Sequence, residues 1–215
     1  MFDAFLRSRG ASTGDVFTPF DIGSDYASSV DGRPRLDGTR SFLTSRGITL
    51  PEGSPDDAPS APSVNGLSNQ KNLLVLERLA HHGVEVFDGS IRYVRAVRAA
   101  GLRTAVVSAS ANTVDALAAA GITDLFDACI DGVVARDRGL AGKPAPDTFV
   151  AGAAALGVAP AEAAVFEDSL AGVAAGRAGG FGLVVGVDRA GHADELRARG
   201  ADVVVGDLAE LLEDR

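Results

Sequence analysis

Cysteine is nearly absent: Cys129 stands alone in 215 residues, so no disulfide can close within the chain. No histidine lies near it in sequence, and it reads as an intracellular thiol in a core strand, not as a nucleophile. Basic residues are in deficit, 20 Lys and Arg against 29 Asp and Glu, for a formal net charge of −9. That balance disfavours general binding to nucleic acid or to an anionic membrane. Long apolar runs are missing too; none approaches the roughly 18 residues that a membrane helix needs. The opening Met-Phe-Asp-Ala-Phe-Leu-Arg lacks the layout of a signal peptide, so a cytoplasmic location is expected. No repeat of fixed period is visible. What is present, 46% apolar and 23% charged residues, excludes global disorder and suits one ordinary domain or a domain with a small appendage.

Two stretches differ in texture. Residues 1–83 are irregular. Met1 to Arg9 reads as helix, stopped by Gly10, and residues 37–46 as a short helix holding Phe42 and Leu43. Residues 51–66 carry Pro51, Pro55, Pro59 and Pro62 and read as a long loop. Ser68 is expected to cap a helix running to His81, with Leu73, Leu76 and Leu79 toward a core and Gly83 as its stop. Residues 84–215 alternate helix and strand. Helices are expected at 91–100, 112–120, 147–156, 169–178, 193–199 and 207–213. Strands are expected at 103–108, 127–131, 163–167, 181–187 and 202–205. Strands this apolar, separated by helices, form a parallel sheet covered on both faces. Such sheets bind ligands beyond the carboxyl ends of their strands.

Three strand ends carry polar residues suited to chemistry. Ser108-Ala109-Ser110-Ala111-Asn112 clusters two hydroxyls and an amide where a strand meets a helix N-terminus, which favours a phosphate or other anion. Plain capping by Asn112 accounts for the same residues. Gly142-Lys143-Pro144-Ala145-Pro146-Asp147 fixes a lysine in a stiff loop, able to stabilise charge on a transferring group. A solvated lysine ahead of a proline-initiated helix is the bland alternative. Phe166-Glu167-Asp168-Ser169 closes an apolar strand with two carboxylates, a hard-cation pattern. A helix cap by Asp168 explains one of them but not Glu167. Together, an anion pocket, a fixed cation and metal carboxylates at one sheet edge suit phosphoryl transfer.

In this order and spacing, the Val-Val-Ser-Ala-Ser run, the Gly-Lys-Pro-Ala-Pro-Asp loop and the Phe-Glu-Asp-Ser strand end resemble three motifs of the haloacid dehalogenase superfamily. The resemblance extends over nearly the whole chain. Residues 31–43 and Asn69-Gln70-Lys71-Asn72 are similar to the cap segments of its β-phosphoglucomutase branch. The resemblance implies an α/β, Rossmann-like parallel sheet core over residues 84–215 and a small helical cap over residues 1–83. It implies that Ser108 and Lys143 contact the transferring phosphoryl group and that Glu167 and Asp168 hold Mg²⁺. Ser110, Asn112 and Arg35 would bind the other phosphate, and Lys71 and Asn72 the sugar hydroxyls. Arg35 shares its segment with Arg33, Arg40 and Arg46, and Ala111 stands where some relatives carry a lysine. The implied enzyme is a Mg²⁺-dependent mutase interconverting β-glucose 1-phosphate and glucose 6-phosphate. The alternatives are a phosphatase of small metabolites and a non-catalytic sugar-phosphate binder. Oligomeric state is not legible.

The superfamily's first motif, an apolar strand ending in Asp-x-Asp-Gly that supplies the nucleophile and the general acid/base, has no counterpart in the sequence. Asp21 follows Pro19, which argues against a central strand, and Asp131 stands alone before Gly132. That strand, its loop and a lead-in helix would take roughly 20–40 residues ahead of Met1. A start placed at an internal methionine is expected, with a truncated or degenerate paralogue as alternatives. By resemblance the strand lies centrally, between strands 103–108 and 163–167. These 215 residues are therefore expected to be unstable alone, or to rearrange or associate, and to form no aspartyl-phosphate. His81 and His82 suit a helix C-terminus better than a metal site, because no third ligand is evident. Asp188 and Asp207 read as loop or cap residues, and the glycines from Gly172 to Gly182 as helix-on-sheet contacts.

Overall fold

A computed structural model of the chain describes residues 1–14 and 16–212. They divide into two compact units: Met1–Asp31 with Arg35–His81, and Gly32–Pro34 with His82 onward.

The first unit is helical: α1 Phe2–Thr13, α2 Ser24–Ser29, α3 Arg35–Ser45 and α4 Val64–His82, whose last residue falls in the second unit. α1 runs through Gly10 and stops at Gly14, whose φ of 77° lets its N–H turn back to the Gly10 carbonyl. An internal glycine costs a helix only about 1 kcal/mol, so packing overrides it. Phe2, Leu6, Val30, Phe42, Leu43, Val64 and Leu67 form the core, with the Phe2 and Phe42 ring centroids 4.1 Å apart. α4 starts before Ser68, which is buried in its interior and donates to Thr39 Oγ1 at 3.0 Å. Leu73 and Leu76 do not face this core; they are 47% and 37% exposed, because the cluster engages only the first turns of α4. The proline-rich loop is pinned by α4. The Asn65 side chain donates to Glu52 O, and that of Asn69 to Pro55 O and Asp57 O.

The second unit alternates helices and strands: α5 Asp88–Ala99, β1 Ala105–Val107, α6 Thr113–Ala119, β2 Ala128–Ile130, α7 Gly132–Asp137 and α8 Asp147–Ala155. β3 Ala164–Glu167, α9 Leu170–Ala178, β4 Leu183–Val187, α10 Ala193–Ala198 and β5 Val203–Val205 follow. Short 3-10 turns lie at Thr123–Leu125, Pro160–Glu162 and Leu208–Leu212. All strand pairs are parallel, but they form two sheets, β1-β2 and β3-β4-β5. The three-stranded sheet is covered on both faces. Val165 and Val184 join Phe149, Val173 and Leu196 on one side; Val185 and Val187 meet Leu208 and Tyr93 on the other. α8 packs on β1 and β2, and its Phe149 and Ala153 share the cluster of Val165. Among the described residues no helix is long and apolar enough to cross a membrane.

Candidate active site

In the second unit the residues of interest follow β1 and β3. Ser108 continues β1, its N–H bonded to Ile130 O at 2.9 Å. Its hydroxyl accepts from Ser110 N–H at 3.1 Å, and the Ser110 hydroxyl accepts from Asn112 N–H at 3.1 Å. These successive turns bring Ser108, Ser110 and Asn112 together ahead of α6. Asn112 occupies the N-cap position, but its side chain makes no cap bond. The turn rests on Gly132, where an added Cβ would come 2.7 Å from Ala109 O. Asp131 is a structural cap. Its buried carboxylate accepts from Val133 and Val134 N–H at 3.0 and 2.8 Å, which starts α7.

Lys143 reaches across from the loop ahead of α8. Its ammonium donates to Glu167 Oε2 at 2.6 Å, and the two side chains are only 7% and 9% exposed. The same ammonium lies 4.7 Å over the Phe149 ring. The other oxygen of Glu167 accepts from Ser169 N–H at 3.1 Å and Ser169 Oγ at 2.6 Å. Ser169, not Asp168, caps α9, accepting from Gly172 N–H at 3.0 Å. Asp168 is thereby left to the strand end, with its carbonyl 3.2 Å from His192 Nε2. The Asp188 carboxylate orders the loop carrying that histidine. It is held below the usual carboxylate range by the His192 backbone N–H and, against the cost of burial, by those of Gly191 and Ala190. A Cβ at Gly172 would overlap the Glu167 carboxyl group, so this glycine is a condition of the site. Sequence reasoning took Gly172 only as a packing glycine; its spacing of five residues after Glu167, one turn inside the capped helix, was the available signal.

The first unit holds a second group. Arg40 pairs with Glu52 and Asp37, and Arg46 with Asp25, so both have structural work. Arg35, at the start of α3, differs: its Nε is buried with no partner among the described residues. Lys71, on α4, is within electrostatic reach. Burial and the Arg35 charge push its ammonium down, while Asp31 opposes them. Burial likewise pushes the Arg35 guanidinium down. Two half-buried cations, an orphaned donor and one carboxylate favour an anion carrying several acceptors. Asn72 is the next residue along α4 and is half-buried. The seven phosphoryl, phosphate and sugar candidates thus fall into two clusters, Ser108, Ser110, Asn112 and Lys143 in one unit and Arg35, Lys71 and Asn72 in the other.

The strand-end loops, the buried Lys143–Glu167 pair and the parallel α/β architecture suit phosphoryl transfer, and the comparisons with known proteins give the family. A family profile described as "Hydrolase: haloacid dehalogenase-like hydrolase" matches residues 28–180, and the chain belongs to that family. It is a phosphotransferase enzyme. A β-phosphoglucomutase of Mycobacterium tuberculosis is 56% identical over 215 residues, 99% of this chain and 82% of that protein. Among solved structures, a β-phosphoglucomutase of Clostridium difficile matches with TM-score 0.72 at 21% identity, over 98% of this chain and 84% of that one. A HAD family hydrolase of Deinococcus radiodurans, solved with bound phosphate and sodium, matches with TM-score 0.62 at 28% identity, over 98% and 83%.

Proposed function

We propose that the chain serves a sugar-phosphate mutase reaction, interconverting β-glucose 1-phosphate and glucose 6-phosphate in the cytoplasm. The observation that carries this reading is the 56% identity to the mycobacterial β-phosphoglucomutase, because it extends over the first unit as well as the second. Substrate choice resides in the first unit, where Arg35 offers its unpartnered Nε to a substrate phosphate. Lys71 and Asn72 then meet the sugar hydroxyls. In the second unit Ser108 Oγ donates to the transferring phosphoryl group and Lys143 offsets its charge. Ser110 and Asn112 orient the second phosphate.

Glu167 and Asp168 are the residues that would hold Mg²⁺. Their chemistry fits: Mg²⁺ takes one or two protein carboxylates and fills its octahedron with water and phosphate oxygens. When bound, the cation supplies charge neutralisation at the phosphoryl group. The hydrogen bonds from Ser169 and Lys143 hold the Glu167 carboxylate in place. Since no apolar strand closing on Asp-x-Asp-Gly is in the sequence, no nucleophile is assigned, and residues 1–215 alone are expected to bind substrate without forming an aspartyl-phosphate.

Phosphorus NMR of the full chain with β-glucose 1-phosphate, a trace of the 1,6-bisphosphate and Mg²⁺ tests the reading. Glucose 6-phosphate identifies a mutase. Release of inorganic phosphate identifies the phosphatase alternative that the family description favours. Saturable binding without turnover, lost in Arg35→Ala, leaves the substrate assignment standing and the nucleophile missing. Absence of binding overturns it.

A further inference from the structure

We infer that Arg33 is a further phosphate ligand of the second unit, set beside the β3 strand end by Gly32. It rests on the reading above that a phosphoryl group binds at Ser108 and Lys143. The turn Gly32–Pro34 belongs to the second unit, although α2 and α3 on either side of it belong to the first. Gly32 accounts for this. Its φ of 67° is one that L side chains rarely adopt, and an added Cβ would overlap the Ser169 hydroxyl and lie 3.7 Å from the Ala171 Cβ. The turn is therefore seated on the start of α9. Ser169 beneath it is 1% exposed, and its hydroxyl donates to Glu167 Oε1 at 2.6 Å.

Arg33 is the next residue, one Cα–Cα step of about 3.8 Å from Gly32. Pro34 follows it and biases its backbone away from the helical region, so Arg33 is held between a seated glycine and a stiff proline. It is half-buried, and among the described residues it has no ion pair and no side-chain hydrogen bond. Arg40 and Arg46, further along the segment, do have carboxylate partners. A guanidinium that gives up water without gaining an acceptor carries a cost that an arriving anion removes. The charges of the strand ends call for such a cation. Ser108, Ser110 and Asn112 are neutral, and Lys143 stands against both Glu167 and Asp168. Its ammonium already donates to Glu167 at 2.6 Å. A phosphate monoester adds about 1.5–2 negative charges at neutral pH. A divalent cation at Glu167 and Asp168 would balance those two carboxylates and leave Lys143 alone against the phosphate. A guanidinium suits the remaining charge, because its fork of donors matches phosphate oxygens two at a time.

The test is an NMR titration of the full chain with inorganic phosphate, at fixed Mg²⁺ and ionic strength, followed at the amides of residues 108–112. Thermal unfolding of each variant is measured alongside. The wild type is expected to show saturable shifts. Arg33→Ala should weaken the affinity about tenfold, the loss of one charge-assisted contact. Its unfolding midpoint should not move, since the side chain leaves no partner behind. Arg33→Lys, which keeps the charge and loses the fork, should bind between the two. Equal affinity in Arg33→Ala overturns the inference and leaves the phosphoryl reading standing. A fall in affinity matched by a fall in the unfolding midpoint shows a structural residue and also overturns it. No phosphate shifts at residues 108–112 in the wild type would overturn the phosphoryl reading itself, and the role of Arg33 with it.

Discussion

Replacing Lys143 by alanine should destabilise the second unit more than any surface ion-pair deletion. Its ammonium and the Glu167 carboxylate meet at 2.6 Å with 7% and 9% of their side chains exposed. Removing one partner of a buried pair leaves an uncompensated charge and typically costs about 3–5 kcal/mol. Two features move the figure. Glu167 keeps its bonds from Ser169 N–H and Oγ, which lowers the cost; the contact of the ammonium with the Phe149 ring is lost, which raises it by about 0.5–2 kcal/mol. A loss of about 3 kcal/mol is expected, a urea midpoint shift of about 1.5 M at a slope near 2 kcal/mol/M. Lys143→Met combined with Glu167→Leu should recover most of it, because an apolar pair of similar volume removes both desolvation costs. Urea unfolding at neutral pH of the wild type, both single variants and the double variant measures the coupling. A single-variant cost below about 1 kcal/mol, or additive effects, would refute the buried-pair reasoning.

Gly172→Ala, although alanine favours helix by about 1 kcal/mol, should lower stability by about 1–3 kcal/mol, because its Cβ overlaps the Glu167 carboxyl group; thermal unfolding reads this, and a stabilised variant would contradict the packing. Gly132→Ala should displace the Ser108–Ser110 turn by crowding Ala109 O, seen as amide shift changes confined to residues 108–112. Arg35→Ala should raise the Lys71 pKa without restoring it fully, since one of two depressing influences goes and burial stays; side-chain NMR titration follows it, and phosphate affinity should fall about tenfold. The Asp188 carboxyl titrates below its unfolded value, so its stabilisation is complete above the unfolded pKa and is lost as pH falls through the folded one. Asp188→Asn should therefore flatten the acid limb of the stability curve, and an unchanged limb would exclude the role.

Much of the second unit was legible because its signals are local. Apolar runs between glycine stops marked β1 to β5 within a residue or two, and polar residues closing β1 and β3 marked the candidate loops. The two sheets in place of one were not legible from pattern, since apolar periodicity says that a strand is buried without saying which strand it pairs with. Helix α7 escaped notice because six residues show no full period, and Asp131 declared itself as a cap only through its two backbone donors.

The order of elements, the parallel class of the sheets, the loops that could carry chemistry and the absence of an Asp-x-Asp-Gly strand end were all determined by the sequence itself, because each is a property of contiguous residues. Tertiary structure alone decided which polar groups meet. Lys143 joins Glu167 across 24 positions, and Ser169 takes the cap that Asp168 had as strong a local claim to. Arg35 is left with an orphaned donor while Arg40 and Arg46 find carboxylates. α1 passes through Gly10, and α4 turns Leu73 and Leu76 to the outside. Each of these depends on which surfaces are buried against which, and burial is set by contacts between segments distant in sequence, where local propensities of about 1 kcal/mol per residue are outweighed.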